Sequence, residues 1–282
     1  MTTIGDLLRQ TTDVVGHRVH ARWLVETATG VDPIDAHIDE AVTERMVAHL
    51  DRMVARVRLG EPLQYVLGRW GFRHLDLAVD PRVLIPRPET EEVAGVAIEI
   101  ARRHQPRRVL DLGTGSGAIG LSAAYELPLE GTEIWITDID DDALAVARAN
   151  LAGIGRAGRN VRVAQGSWFE AIAHGERFDV IVANPPYIAD GDPAVDPLVS
   201  DHEPHRALFS GIDGLDAIRT LINGAIDYLS DGGSLVLEIG YDQGPTVRDL
   251  MLAAGFAEAE IRRDAAGQDR IAVGSLAAGL LR

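Results

Sequence analysis

Apolar residues recur every three or four positions through the first sixty residues, and this spacing predicts helices rather than strands. Ile4, Leu7 and Leu8 would share one face of a helix over residues 3–15. The same periodicity predicts two further helices, at residues 18–28 and 39–59. Residues 1–60 are therefore predicted to form a small helical bundle.

After Gly60 the pattern changes to an alternation of apolar and polar residues. Alternation over residues 61–79 predicts two short strands paired as a hairpin, and we interpret residues 61–86 as a linker between two domains. Pro88 is followed by acidic residues, which is a signal for the start of a helix. Residues 87–282 would then form the second domain.

The second domain alternates short apolar runs with helical segments, a pattern typical of an α/β sheet with helices on both faces. The predicted strands are 108–112, 133–138, 161–165, 178–183 and 233–239, followed by a closing pair at 256–263 and 270–273. The predicted helices are 87–104, 118–126, 215–229 and 242–254. Residues 188–210 form a long loop rich in Asp and Pro, and a loop of this length usually has a function.

Composition excludes several classes of protein. The formal net charge of −16 disfavours binding to nucleic-acid phosphates, which requires clustered basic residues. The absence of cysteine excludes disulfides, thiolate metal sites and cysteine nucleophiles, and the nine histidines lack the spacing of metal ligands. The chain shows neither a signal peptide nor an apolar run of membrane-spanning length, so a cytoplasmic protein without a metal site is expected.

A glycine-rich turn, Asp111 to Gly117, lies between a predicted strand and a predicted helix. Glycines allow the backbone to approach a ligand, and the start of the helix offers free N–H groups. Gly115, Gly117 and Gly120 match the G-x-G-x-x-G fingerprint, and no Gly-Lys-Ser/Thr follows that would indicate a P-loop. Asp138, at the end of the next strand, would accept hydrogen bonds from ribose hydroxyls. A nucleoside cofactor is predicted.

The residues Asn184-Pro185-Pro186-Tyr187 follow a strand, at the edge where open α/β sheets bind ligands. The two prolines hold Asn184 extended. The Asn184 amide oxygen and the Pro185 carbonyl would accept hydrogen bonds from both protons of a planar NH2 group, against which Tyr187 would stack. The alternative is that Asn-Pro-Pro simply forms a turn.

Two cofactors fit the glycine turn, a dinucleotide or S-adenosylmethionine. Both would use the ribose contact of Asp138. Asp111 suits a cationic sulfonium ligand better than a pyrophosphate. We call residues Asn184 to Tyr187 the clamp, because they would hold a planar amine. Such a clamp has a use with a methyl donor and none with a nicotinamide, so it favours S-adenosylmethionine.

The two signatures together resemble class I methyltransferases that act on a planar nitrogen. Further motifs, in their order, resemble the HemK/PrmC family of release factor N5-glutamine methyltransferases: Gly60 to Tyr65, Arg87 to Glu91, Glu203 to Leu208, Asp213 to Leu215 and Glu238 to Gly240. The resemblance covers essentially the whole chain. It implies a Rossmann-like sheet, mostly parallel with an antiparallel last strand, and methyl transfer to the glutamine of the Gly-Gly-Gln motif in class I peptide chain release factors, leaving S-adenosylhomocysteine.

The resemblance also implies roles for individual residues. The implied cofactor-binding residues are Asp111, Gly113, Thr114, Gly115, Ser116, Gly117, Asp138, Trp168 and Asn184. The implied substrate-binding residues are Asn184, Pro185, Pro186 and Tyr187, with Asn184, Pro185 and Tyr187 as the catalytic ones. Ser167 stands where members of the family often have an acidic residue that contacts adenine.

Two other functions stay open, an amino methyltransferase acting on a flipped nucleic-acid base and a binding module without catalysis. The negative net charge disfavours the nucleic-acid methyltransferase, and the intact glycine turn with Asp138 disfavours the binding module without catalysis. The helical domain is expected to recognise the release factor, because a tripeptide offers little surface. The protein is expected to be a monomer that binds neither nucleic acid nor membrane directly, and residues 188–210 are expected to fold over the glutamine.

Overall fold

The computed structural model describes residues 2–279 and divides the chain into two compact units. The first unit is Met1–Trp70 together with Asp196–His202, and the second is Gly71–Val195 together with Glu203–Arg282. Met1 and residues 280–282, which end the predicted domains 1–60 and 87–282, lie outside the described residues. The prediction assigned residues 196–202 to the catalytic domain, whereas the structure groups this segment with the helices.

The first unit is helical around one apolar core, as the periodicity predicts. Its helices from the amino-terminal region are α1 (Ile4–Val15), α2 (Arg18–Thr29), α3 (Glu44–Arg58) and α4 (Leu63–Leu67). Helix α3 begins five residues later than predicted, because Thr43 caps it by accepting a hydrogen bond from the Met46 N–H. The preceding residues are extended instead, with Ala41 bridged to Thr3.

The predicted hairpin is present, but it is shorter than the alternating stretch. Strands β1 (Arg69–Phe72) and β2 (Leu75–Ala78) pair as a two-stranded sheet. The prediction of strand was wrong for Leu63–Leu67, which form one helical turn between Pro62 and the left-handed Gly68. A five-residue segment that is mostly apolar fits either period, and here the flanking Pro and Gly favour the helix.

The second unit contains a seven-stranded sheet, ordered β5-β4-β3-β6-β7-β9-β8. Its strands are β3 (Arg107–Leu112), β4 (Thr132–Asp138), β5 (Val161–Gln165), β6 (Phe178–Ala183), β7 (Leu229–Glu238), β8 (Glu258–Arg263) and β9 (Asp269–Ser275). Strands β3 to β7 are parallel, and β9 runs antiparallel to both of its neighbours. The prediction of a mostly parallel sheet closed by an antiparallel strand is confirmed.

Helices cover both faces of this sheet, because alternate residues of the buried strands point to opposite sides. The helices of this unit are α5 (Pro88–Ala101), α6 (Ala118–Glu126), α7 (Asp141–Gly153), α9 (His205–Leu208), α10 (Asp216–Ala225) and α11 (Gly244–Ala254), whereas α8 (Pro197–His202) belongs to the first unit. Val109 belongs to the apolar cluster that contains α5 and α6, whereas the adjacent Leu110 belongs to the cluster that contains α10 and α11. Helix α7 is absent from the predicted helices.

The carboxyl ends of the parallel strands form one edge of the sheet. Leu112 on β3 is in register with Thr137 on β4 and with Ala183 on β6, and Ala183 is in register with Leu237 on β7. Asp111, Asp138, Asn184 and Glu238 lie at or just after these ends. Within residues 2–279, no helix is both long and apolar enough to cross a membrane.

Candidate functional site

Asp111, which is 1 % exposed, supports the glycine turn that follows β3. Its Oδ2 accepts hydrogen bonds from the Thr114 hydroxyl at 2.5 Å and from the Gly120 N–H at 2.8 Å. A methyl group at Gly120 would overlap Ile136 Cγ2 and approach Asp111 Oδ2 to 3.0 Å. Gly120 is thus required for close packing of α6 on the sheet, as expected for the third glycine of the fingerprint.

The Asp111 carboxyl group is buried and only partly hydrogen-bonded, which changes its pKa. Its Oδ1 is buried without a hydrogen-bond partner among the described residues. Burial raises the pKa of Asp111 to about 6, against the opposing effect of the bonds from Thr114 and Gly120. Asp138 raises it further by charge repulsion. A cationic ligand nearby would relieve this cost, and an anionic one would increase it.

Asp138 is partly buried at the end of β4 and links two segments of backbone. Its Oδ2 accepts from the Gly115 N–H at 2.9 Å, and its Oδ1 accepts from the Asp140 N–H at 3.0 Å. Burial raises the pKa of Asp138, and these backbone bonds oppose the increase. Each carboxylate oxygen retains a further lone pair, so hydroxyl donors can still be accepted.

Trp168 lies against the glycine turn. Its ring would be only 3.1 Å from a methyl group placed on Gly113, so Gly113 has to be glycine for this contact. Trp168 itself has φ +48°, a left-handed conformation that is rare for a bulky residue. The strained backbone sets the indole beside the turn, next to Ser167.

A cavity of about 520 Å³ opens at this edge of the sheet, a size typical of small-molecule sites. Its wall includes eight of the residues predicted for the site: Gly113, Thr114, Gly115, Ser116, Asp138, Trp168, Asn184 and Pro186. Asp111, Gly117, Pro185 and Tyr187 are not in the wall. Asp111 and Pro185 are buried, and Tyr187 is half-buried.

Asn184 has a defined hydrogen-bond partner. Its Nδ2 donates to the Thr90 hydroxyl at 3.1 Å, and Thr90 donates to Glu238 Oε2 at 2.6 Å. Thr90 is 4 % exposed and Glu238 is 1 % exposed. Because the amide nitrogen is engaged with Thr90, the amide oxygen of Asn184 remains available as an acceptor at the cavity wall.

Tyr187 is anchored behind the wall by the same carboxylate. Its hydroxyl donates to Glu238 Oε1 at 3.2 Å, and its backbone carbonyl accepts from Gln243 Nε2 at 3.0 Å. Burial, followed by the charge of Glu238, raises the pKa of Tyr187. The phenol therefore stays protonated at neutral pH, and its position is fixed from both ends. The stacking of Tyr187 on a substrate amide stays a prediction.

The long loop returns to the cavity at its carboxyl end. Ile188 forms a parallel bridge with Phe209, and its N–H donates to the Leu208 carbonyl at 3.0 Å. Glu203, a buried carboxylate, accepts from the Ile85 N–H at 3.1 Å and pairs with Arg87. These contacts fix the part of the loop that contributes to the cavity wall, namely Pro204, Arg206, Ala207, Phe209 and Ser210.

His202 ends α8 and His205 begins α9, so the two histidines lie on separate short helices. Among residues 2–279, no three His, Asp or Glu side chains come together as a metal site.

Thr90 and Glu238 lie in motifs of the family resemblance, but the sequence alone predicts no role for either residue. Glu238 has a detectable signal, because it is an acid at the end of an apolar strand, as Asp138 is, and Asp111 lies one residue before the end of its strand. Thr90 lies 94 residues from Asn184 along the chain, so no local sequence pattern predicts the contact between them.

Comparison with known protein families assigns both parts of the chain. The family model described as PrmC N-terminal domain matches residues 6–68, and the model described as Methyltransferase small domain matches residues 96–201. Structural similarity supports the fold. The chain aligns with a methyltransferase from Pyrococcus furiosus at a TM-score of 0.52 and 18% identity, over 80% of this chain and 98% of that one. It aligns with the hMettl16 catalytic domain at a TM-score of 0.59 and 13% identity, over 91% of this chain and 94% of that one.

Curated relatives are similar over most of their length. A release factor glutamine methyltransferase from Neisseria gonorrhoeae is 43% identical over 236 residues, covering 83% of this chain and 84% of that protein. One from Bordetella pertussis is 40% identical over 278 residues, covering 98% of this chain and all of that protein. Identity at this level over nearly the full length of both proteins means that the chain belongs to the HemK/PrmC family of release factor glutamine methyltransferases.

Proposed function

We propose that the protein transfers a methyl group from S-adenosylmethionine to the side-chain amide nitrogen of the glutamine in the Gly-Gly-Gln motif of class I release factors. The observation that carries this proposal is the state of Asn184. Its amide nitrogen is held by Thr90, which leaves its amide oxygen as an acceptor in the wall of a cavity that also contains the glycine turn. A group that presents two N–H protons fits this acceptor, and a glutamine amide is such a group.

The cavity fits S-adenosylmethionine better than a dinucleotide. Asp111 has a buried oxygen without a partner, and the pKa values of Asp111 and Asp138 are both raised by burial. A pyrophosphate would increase the cost of these charges, whereas a sulfonium and an ammonium would reduce it. Asp138 would hold the ribose, Trp168 would pack at the adenine, and the turn from Gly113 to Gly117 would enclose the methionine part.

When bound, S-adenosylmethionine supplies a methyl group activated by the positive sulfonium. The residues of the chain have to place a poor nucleophile, because the lone pair of an amide nitrogen is delocalised into its carbonyl. Asn184 Oδ1 and the Pro185 carbonyl accept the two amide protons, and Tyr187 packs on the amide plane. Holding the nitrogen in line in this way can supply roughly 7–11 kcal/mol of the barrier.

The clamp contains no strong base beside Asn184. Tyr187 keeps its proton because its pKa is raised, and Glu238 is occupied by the Thr90 and Tyr187 hydroxyls. An amide nitrogen that is being methylated becomes acidic and loses its proton readily. Placement, rather than general-base catalysis, is therefore the main contribution of these side chains.

The helical unit, Met1–Trp70 with Asp196–His202, is proposed to recognise the body of the release factor. Two leucines of this unit are exposed, Leu59 at 84% and Leu198 at 54%. They lie near each other, because a Cβ atom placed on Gly60, the residue after Leu59, would be 3.6 Å from Leu198 Cδ2. Leu59→Ser should raise KM for the whole release factor and leave turnover of a short Gly-Gly-Gln peptide unchanged. An equal effect on both substrates would contradict this role.

The deciding experiment is a methyl-transfer assay with labelled S-adenosylmethionine. A purified class I release factor, and the same factor with its Gly-Gly-Gln glutamine changed to alanine, are compared using wild-type protein and Asn184→Ala. RNA and DNA serve as parallel substrates. Label on the normal factor alone, lost with Asn184→Ala, is the expected result. Label on nucleic acid alone would replace the proposal with a base amino methyltransferase, and no label on any substrate would reject methyl transfer.

A further inference from the structure

We propose that Thr90 and Glu238 are positioning residues that set the direction of the Asn184 amide in this reaction. The consequence for catalysis rests on the function proposed above. The hydrogen-bond relay itself, from Asn184 to Thr90 to Glu238, is a property of the protein without substrate.

The direction of the relay follows from counting protons. A threonine hydroxyl has one proton, and Thr90 donates it to Glu238 Oε2 at 2.6 Å. Towards Asn184 the same oxygen can then act only as an acceptor. Asn184 must present its NH2 group, which it does at 3.1 Å, and its oxygen is turned to the other side.

Without this relay, the amide of Asn184 would have no preferred direction. Its oxygen and nitrogen are similar in size, and a rotation of 180° exchanges them. In the wrong orientation an NH2 group would face the NH2 group of the substrate, and two donors cannot pair. The relay therefore determines whether Asn184 attracts or repels the substrate amide.

Glu238 is suited to terminate the relay because it is an acceptor that other groups keep in place. Its second oxygen, Oε1, accepts from the Tyr187 hydroxyl at 3.2 Å, so one carboxylate anchors both Asn184 and Tyr187. Burial raises the pKa of Glu238, and the hydrogen bond from Thr90, the charge of Arg270 and the hydrogen bond from Tyr187 oppose the increase and favour the carboxylate. The two side chains of the clamp are thereby held in a fixed relation through a residue that does not contact the cavity.

The test compares Thr90→Val with Thr90→Ser. Valine has a similar shape and no hydroxyl, whereas serine keeps the hydroxyl. We expect Thr90→Val to lower kcat about 10- to 100-fold, the effect that is typical when a group that orients a metal-binding side chain is removed. Thr90→Ser should restore most of this loss, and the affinity for S-adenosylmethionine should not change in either variant.

Thr132→Val provides a matched control. Thr132 is also buried, at the far end of β4 from Asp138, and its hydroxyl has no hydrogen-bond partner among the described residues. The same chemical change there should leave kcat unchanged. Equal losses of kcat for Thr90→Val and Thr90→Ser, or for Thr90→Val and Thr132→Val, would overturn the proposal.

A second measurement detects the hydrogen bond between Asn184 and Thr90 by NMR and does not depend on enzymatic activity. The chain contains four asparagines, Asn150, Asn160, Asn184 and Asn223, so [15N]asparagine labelling gives four side-chain NH2 signals, three of them internal references. Thr90→Val should move the Asn184 signal upfield and speed its proton exchange, and Thr90→Ser should not. An unchanged Asn184 signal in Thr90→Val would reject the relay even if the enzyme is active. Inactive wild-type protein with the expected signals would reject the proposed function alone.

Discussion

The two halves of the site are built in different ways, although each depends on a buried carboxylate at the end of a strand. In the cofactor half, Asp111 receives a backbone N–H and the hydroxyl of a residue three positions away. In the clamp half, Glu238 receives two hydroxyls, from residues 148 and 51 positions away. The first carboxylate shapes a turn, and the second connects side chains from three separate segments.

The two halves perform different tasks, and each task requires a different kind of support. A cofactor of constant structure can be enclosed largely by backbone, whose geometry depends on glycines and one supporting acid. A weak nucleophile has to be oriented atom by atom, which requires side chains with a defined hydrogen-bond direction. Changes in the cofactor half should therefore alter cofactor affinity or stability, whereas changes in the clamp half should alter kcat.

Asn184→Ala should lower kcat by about 100- to 1,000-fold, the usual effect of removing one preorganised hydrogen-bonding group from an active site. The affinity for S-adenosylmethionine, measured by calorimetry, should fall far less than kcat, because the glycine turn and Asp138 are unchanged. Asn223→Ala, an exposed position on α10, is the control and should behave as wild type. If Asn184→Ala instead lost cofactor affinity with normal kcat, the two halves would not be separate.

Asp138→Ala should weaken S-adenosylmethionine binding by about 10- to 100-fold, since hydrogen bonds to a charged group contribute about 1.5–3 kcal/mol. At saturating cofactor, kcat should fall much less than in Asn184→Ala. Asp142→Ala removes a nearby exposed acid at the start of α7 and controls for the change in net charge. Equal losses of affinity in the two aspartate variants would indicate a general charge effect rather than a ribose contact.

Gly120→Ala should lower the free energy of unfolding by about 1–3 kcal/mol, because a methyl group there overlaps Ile136 and forces α6 from the sheet. Denaturant titration measures the change. Gly153→Ala is the matched control at the end of α7, where a methyl group meets nothing within 4 Å. Its stability should be unchanged or slightly higher. Similar losses in both variants would remove the packing explanation.

The affinity for S-adenosylmethionine should rise with pH through about 6, the raised pKa of Asp111. Below that pH Asp111 is protonated and offers no charge, whereas above it the carboxylate attracts the cationic ligand. Ligand binding then lowers the pKa of Asp111, and linkage limits the gain to at most about tenfold per pH unit. Asp111→Asn should flatten this rise. An equally steep rise in Asp111→Asn would assign the dependence to another group, such as Asp138.

Most of the fold and the cofactor half could be predicted from the sequence because their signals are local. Strands Val161–Gln165 and Phe178–Ala183 and helix Ala118–Glu126 have the predicted bounds, since each is a clear apolar run flanked by turn residues. The one-turn helix Leu63–Leu67 could not be told from a strand by its period. The start of α3 was placed too early because residues before Thr43 pair with the amino-terminal segment.

The clamp could be predicted only in part, for a physical reason. Asn184 and its prolines form a local signature, but the direction of the Asn184 amide depends on Thr90 and Glu238, which are distant along the chain. Hydrogen-bond direction is a property of the folded network and leaves no periodic pattern. The only available signal is Glu238 itself, an acid that ends an apolar strand as Asp138 does.

The oriented amide of Asn184 also limits how many methyl groups one glutamine receives. A primary amide carries two N–H protons, one for Asn184 Oδ1 and one for the Pro185 carbonyl in the proposed clamp. The methylated product has a single N–H, so one acceptor would lose its partner, at a cost of about 1–3 kcal/mol if it is buried. The clamp that places the substrate thus favours release of the monomethylated product and opposes a second transfer.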